Sequence, residues 1–330
     1  MIPDAKRPAV TRALLEAFGV REYEEIQSTS GGQSSALVFK IIVQGKPYLL
    51  KIMREEKISD PANEFACMKA AAGVGIAPRV WYANLDDRVL ITDFVEAKPY
   101  PQDMIPLVAP VLRKLHSLPG FSKPAMGSYF NTADGFVRRV LAAKLLPESV
   151  TEETSRYYDE LVKIYPRDDA DLVASHNDVK PQNMVFDGER LWLIDWESAF
   201  LNDPYVDLAI VANFFVHGEA DEDRYLKAYF GEPAGGYRRA RFYLMSQALH
   251  MFYAAFLLSF ASRAGASIGA DMSTTLDFRE FHQRLISGEI DTLKPDVQVE
   301  YAKIHINEAL RNMRTQRFAD ALARVGAVNP

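Results

Sequence analysis

The chain has 330 residues, of which 48% are hydrophobic, with a formal net charge of −6 and a single cysteine, Cys67. Such length and apolar content suit two cores better than one. The lone cysteine excludes an intramolecular disulfide, and an acidic balance without any basic run argues against a nucleic-acid partner.

At the start, Met1-Ile2-Pro3-Asp4 leads into an amphipathic helix near Val10 to Phe18. No apolar core of roughly 7–15 residues stands there, so a secretory leader is not expected and a cytoplasmic location is. Strands are expected around Tyr23–Thr29, Ala36–Val43 and Tyr48–Met53, with Gln44-Gly45-Lys46-Pro47 as the turn joining the last two. Asp60-Pro61 predicts a helix start, an N-cap followed by proline at the first position, and Gly73 predicts its end. Cys67 lies on this helix, where core packing is its expected role. Strands near Arg79–Ala83 and Arg88–Phe94 follow, and the small lobe runs to about Glu96.

Beyond Glu96 helical spacing dominates. Leu107, Val111, Leu112 and Leu115 predict one buried face, as do Ile304, Ile306, Ala309, Leu310 and Met313 near the C-terminus. Ser117 to Gly135 is the longest expected irregular stretch and a candidate border of a substrate cleft. The most apolar run, Ala248 to Ala261, is interrupted by His250 and Ser259. It falls short of the roughly 20 residues that span a bilayer, so a buried helix is expected and membrane insertion is not.

Chemistry concentrates in Ser175-His176-Asn177-Asp178-Val179-Lys180-Pro181-Gln182-Asn183 and, twelve residues after Asn183, in Ile194-Asp195-Trp196-Glu197. Phosphoryl transfer needs a hydroxyl aligned with phosphorus and charge neutralised by Mg²⁺. Asp178 can accept the hydroxyl proton, Asn183 can ligate metal, and Asp195 can bridge metal to the β- and γ-phosphates. Met184-Val185-Phe186 and Leu191-Trp192-Leu193-Ile194 flank Asp187-Gly188 and read as a β-hairpin that returns Asp195 beside Asp178 and Asn183.

This ordered set resembles the protein-kinase-like superfold and, within it, the choline/ethanolamine kinase and aminoglycoside phosphotransferase family. The resemblance implies an α+β, bilobal fold: a small antiparallel-sheet lobe (residues 1–96) for nucleotide and a larger, mainly helical lobe (97–330) for catalysis and acceptor. It implies ATP and Mg²⁺ as cofactors. Gly31-Gly32-Gln33-Ser34 resembles the family's phosphate loop, Lys51 the lysine on the α/β-phosphates and Glu64 its paired glutamate. Asp93-Phe94-Val95 resembles the hinge. Each also has a plainer reading: a turn, a surface lysine, an acid favourable at a helix N-terminus. Lys180 either contacts the transferred phosphate or is merely a loop cation, and His176 is expected to brace backbone.

From Asp195 to Asp203 there are only eight residues, too few for an activation loop, so a small-molecule acceptor is expected. The stretch through Asn202-Asp203-Pro204 and Asp207-Leu208-Ala209 looks most like bacterial choline-kinase-type proteins. That likeness implies a cationic acceptor such as choline or ethanolamine, held by exposed faces of Trp196 and Tyr205 with support from Glu197 or Asp203. Phe200, Phe214 and Phe215 are expected in the core, and Asp207 is expected to brace the catalytic loop. Open alternatives are an aminoglycoside phosphotransferase, a thiamine, homoserine or methylthioribose kinase, and a nucleotide-binding pseudokinase module.

Overall fold

The computed structural model describes residues 1–29, 36–53, 60–123 and 129–328, so the expected phosphate loop at Gly31, Gly32, Gln33 and Ser34 lies outside the described residues. Two compact units divide the chain: Met1–Ser122 with Asp178–Phe200, and Lys123–Asn177 with Leu201–Pro330. Neither unit ends at Glu96, the limit expected for the small lobe.

In the first unit, helix α1 (Arg7–Phe18) is followed by strands β1 (Glu25–Ser28), β2 (Leu37–Val43) and β3 (Lys46–Ile52), then by helix α2 (Pro61–Gly73) and strands β4 (Val80–Asn84) and β5 (Val89–Asp93). The five strands form one antiparallel sheet in the order β1-β2-β3-β5-β4. Alternate residues Phe39, Ile41 and Val43 of β2 and Tyr48, Leu50 and Ile52 of β3 face one core, which Val10, Ala13 and Leu14 of α1 close. Period-two alternation against period-3.6 spacing is what fixes these two element types. Gly19, at φ 74°, ends α1 in a left-handed turn that a Cβ would strain.

Helix α3 (Ile105–Leu115) buries Val108, Ala109, Leu112 and Leu115, with Leu107 and Val111 only half-buried. Thus its inner face is turned slightly from the expected one. In the second unit lie α4 (Tyr129–Ala142), α5 (Glu148–Ile164) and the short strand β6 (Val173–Ser175). The expected hairpin, β7 (Met184–Phe186) and β8 (Leu191–Leu193), belongs to the first unit and sets Val185 opposite Trp192. Strand β9 (Phe200–Asn202) pairs with β6, a small sheet that period-two reading of three-residue strands did not expose.

The second unit continues as α6 (Pro204–Phe215), α7 (Glu219–Phe230), α8 (Gly236–Arg263), α9 (Phe278–Ile286), α10 (Pro295–Met313) and α11 (Gln316–Gly326). Two expectations are corrected. Residues 129–135, expected to be irregular, begin α4, because Ala133, Val137, Val140 and Leu141 bury a helical face. The apolar run Ala248 to Ala261 is part of a 28-residue helix, long and apolar enough by composition to cross a membrane. In α8, however, 67% of the most apolar window is buried inside the protein.

Candidate active site

The first unit brings together the charged residues singled out in the sequence. Lys51 sits on β3 opposite Leu90 of β5, in a register that turns it to the interior, where it is 8% exposed. Its Nζ donates to Glu64 Oε1 at 2.8 Å and to Asp195 Oδ1 at 3.3 Å. Glu64 is held in the first turn of α2, whose start is fixed by Pro61 and by Asp60 accepting from the Asn63 backbone N–H at 3.1 Å. Burial works to lower the Lys51 pKa, but the Glu64 and Asp195 carboxylates outweigh it and hold the ammonium above its usual range.

Asp195 follows β8 with φ 63°, a left-handed turn that ends the hairpin and presents its carboxylate to Lys51. The hairpin is tied on both sides, by Leu193 N–H to Ile76 O at 2.8 Å and by Ile194 N–H to Asn183 O at 3.0 Å. Asn183 ends a short 3-10 turn begun by Pro181. Its Nδ2 donates to Asp178 Oδ2 at 2.7 Å and to the Asp178 carbonyl at 2.9 Å. Lys180 Nζ lies 2.9 Å from the same Asp178 Oδ2, so this lysine is engaged with the candidate base rather than loose in solvent.

Two polar groups result, Lys51 with Glu64 and Asp195 and Asp178 with Lys180 and Asn183, and the backbone bond from Ile194 N–H to Asn183 O joins the segments that carry them. Among the described residues, no three His, Cys, Asp or Glu side chains close on a ready-made metal cage. The Asn183 amide oxygen and the Asp195 carboxylate offer two hard oxygens, the donor set that suits Mg²⁺ arriving with phosphates and water. Glu197 is exposed, and desolvation followed by the Asp195 charge pushes its pKa above the usual carboxylate range.

Asp93 ends β5 and Phe94 and Val95 follow it, all three half-buried, with the Asp93 N–H on Arg79 O at 3.0 Å and the Trp81 indole N–H on Asp93 Oδ1 at 2.7 Å. A residue the sequence did not flag braces the turn that carries Asn183. The Tyr100 hydroxyl lies 2.7 Å from Pro181 O and 2.8 Å from Met184 O, and burial pushes it up to about 12. Nothing in Lys98-Pro99-Tyr100-Pro101 marks that role, since the partners are 81 and 84 residues away. Cys67 is buried as expected, its thiol also pushed up to about 12 by burial.

The expected aromatic cage is corrected. Trp196 is fully buried in the first unit, its indole N–H on Leu193 O at 3.2 Å and its ring edge-on to Phe121. Tyr205, in the second unit, is 5% exposed and lies under the Arg241 guanidinium. Asp203 caps α6 through the Tyr205 N–H at 2.9 Å and also takes Tyr165 O–H at 3.0 Å and Arg241 Nη2 at 2.8 Å, so its carboxylate is committed to structure. Asp207 accepts the backbone N–H groups of His176 at 2.8 Å and Asn177 at 2.7 Å, the bracing role expected of it. Phe214 is buried against His282, as core packing requires.

Residues 25–243 match the phosphotransferase enzyme family. Over 36 residues, 11% of this chain and 14% of the relative, the sequence is 50% identical to Protein LicA of Haemophilus influenzae. Among solved structures, a choline/ethanolamine kinase family protein from Mesorhizobium loti superposes with a TM-score of 0.66 at 21% identity, covering 98% of this chain and 99% of that one. Macrolide 2'-phosphotransferase type I superposes at 0.57 with 18% identity, covering 87% and 97%. The fold is accordingly the α+β, protein-kinase-like one of these phosphotransferases.

Proposed function

The chain belongs to the phosphotransferase enzyme family and is a small-molecule kinase; from that premise we propose that it moves the γ-phosphoryl group of ATP to the hydroxyl of a small cationic acceptor, choline or ethanolamine in kind. One observation carries the reading: Lys51, buried, is shared between Glu64 and Asp195. A buried ammonium bonded to two carboxylates is poised to exchange one partner for a phosphate oxygen.

In this reading the nucleotide lies on residues 1–96 and the acceptor on residues 97–330. Lys51 orients the α/β-phosphates, Glu64 keeps Lys51 in place, and the backbone of Asp93, Phe94 and Val95 forms the hinge. Asn183 and Asp195 would hold Mg²⁺, which would supply charge neutralisation at the phosphates. Asp178 takes the acceptor hydroxyl's proton while Lys180, on the same carboxylate oxygen, balances charge near the transferred group. With Trp196, Tyr205 and Asp203 turned to packing and capping, Glu197 is the residue left to meet the acceptor's cationic end. The likeness to a choline/ethanolamine kinase family protein supports that acceptor class. A bulky antibiotic acceptor is the second reading, supported by the likeness to a macrolide phosphotransferase. The enzyme is taken to work in the cytoplasm, where ATP is supplied.

The test is ADP release with MgATP and, in turn, choline, ethanolamine, an aminoglycoside, a macrolide, thiamine and a neutral sugar. Preference for choline or ethanolamine is expected. Preference for the neutral sugar contradicts the cationic acceptor, and preference for either antibiotic moves the protein to the second reading.

A further inference from the structure

Asn177, the residue before Asp178, has φ 64°, a left-handed conformation that side-chain-bearing residues adopt rarely. Something must hold it there. Its backbone N–H goes to Asp207, and its side chain meets Asn202 of β9, 25 residues on in sequence and 1% exposed. Asn202 Nδ2 donates to Asn177 Oδ1 at 2.6 Å.

Both amides are oriented by backbone, so the polarity of this bond is fixed. Asn202 Oδ1 accepts the Asp203 N–H at 2.9 Å, leaving Nδ2 as the atom that faces Asn177. Asn177 Nδ2 points to Ser175 O at 3.4 Å, leaving Oδ1 to accept. We propose that Asn202 is a positioning residue for phosphoryl transfer: its amide holds Asn177 in the left-handed turn and so sets the direction in which the next residue, Asp178, presents its carboxylate. The inference rests on the kinase reading above. A base displaced by about 1 Å can cost on the order of 10²-fold in rate without altering nucleotide binding.

Asn202→Asp is the informative change. The carboxylate still accepts the Asp203 N–H but has no N–H for Asn177 and repels its Oδ1 instead. Asn202→Ala is made alongside it, because a buried carboxylate can by itself unfold a protein. Asn177→Gly supplies a residue that takes positive φ without a partner, and Asn177→Asp keeps an acceptor for Asn202. ADP release is measured with MgATP and choline, ethanolamine or kanamycin. The expected result is kcat lower by about 10²-fold in either Asn202 variant, with KM for MgATP unchanged. Asn177→Asp keeps near-native kcat. In the Asn177→Gly background, Asn202→Ala costs a further factor of no more than about 2, the non-additivity that marks a shared device.

An unchanged kcat in both Asn202 variants, or the full loss persisting in the glycine background, overturns the inference and leaves the kinase reading standing. Wild-type protein that releases no ADP with any acceptor of the full panel, choline, ethanolamine, an aminoglycoside, a macrolide, thiamine and a neutral sugar, overturns both.

Discussion

Both units bury titratable side chains, and they do so to opposite ends. In the first, Lys51 and Glu64 are buried as an ion pair with Asp195 at their side, and the charge persists because opposite charge replaces water. In the second, His250, His282 and His305 are buried among aromatic rings where α8, α9 and α10 pack. Their rings contact one another, His250 Nδ1 to His305 Nδ1 at 3.0 Å, and among the described residues no carboxylate bonds to any of them. Burial drives His250 to about 3 and His282 to about 4 and holds His305 well below its usual value, so all three are neutral. Paired burial keeps the Lys51 ammonium charged; unpaired burial makes ionisable residues serve as packing.

Removing the pairing should produce the largest effects. Asp195→Ala is expected to abolish turnover and the Mg²⁺ dependence of nucleotide affinity together, read by nucleotide titration with and without metal. Tight binding with an unaltered metal response would place the second acid elsewhere. Lys51→Ala should raise the KM for ATP and lower kcat, and Glu64→Gln should do both more mildly. Equal losses would mean that Glu64 does more than hold Lys51.

The fold was legible wherever the signal was local. Proline after an N-cap located α2, Asp-Gly located the β7–β8 hairpin, and alternation located the five-stranded sheet. The Lys51–Glu64 pair, thirteen residues apart on a strand and the helix after it, was expected from the family resemblance. What escaped depends on distant partners. Trp196 looked like an exposed face because nothing in its neighbours reveals Phe121 beside it. Asp203 looked like a free acid because Tyr165 and Arg241, which take it, lie 38 residues away on either side. Tyr100 and Asn202 act through contacts that no periodicity encodes.

The neutral histidines predict a pH response of known sign. Folded pKa values below the unfolded value near 6.5 mean that the unfolded chain binds more protons below that pH, so stability falls as pH falls. Three such groups together should cost about 4 kcal/mol between pH 7.5 and 5.5. Urea unfolding at the two pH values measures this, and His305→Phe should remove about a third of it. A pH-independent midpoint would show that the imidazoles gain water or a counter-charge. Smallest of all, Cys67→Ala should leave activity intact, and the native thiol should resist a thiol reagent until urea unfolds the chain. Rapid labelling of the folded protein would contradict its burial.

The account stands most directly on Asp178. Wild type and Asp178→Asn are compared in one experiment, with MgATP binding by calorimetry and ADP formation in the presence of choline. The account predicts matching nucleotide affinity and ADP formation lower by roughly 10²–10⁴-fold in the variant, as for loss of a positioned base. Turnover near that of the wild type would remove Asp178 from the mechanism.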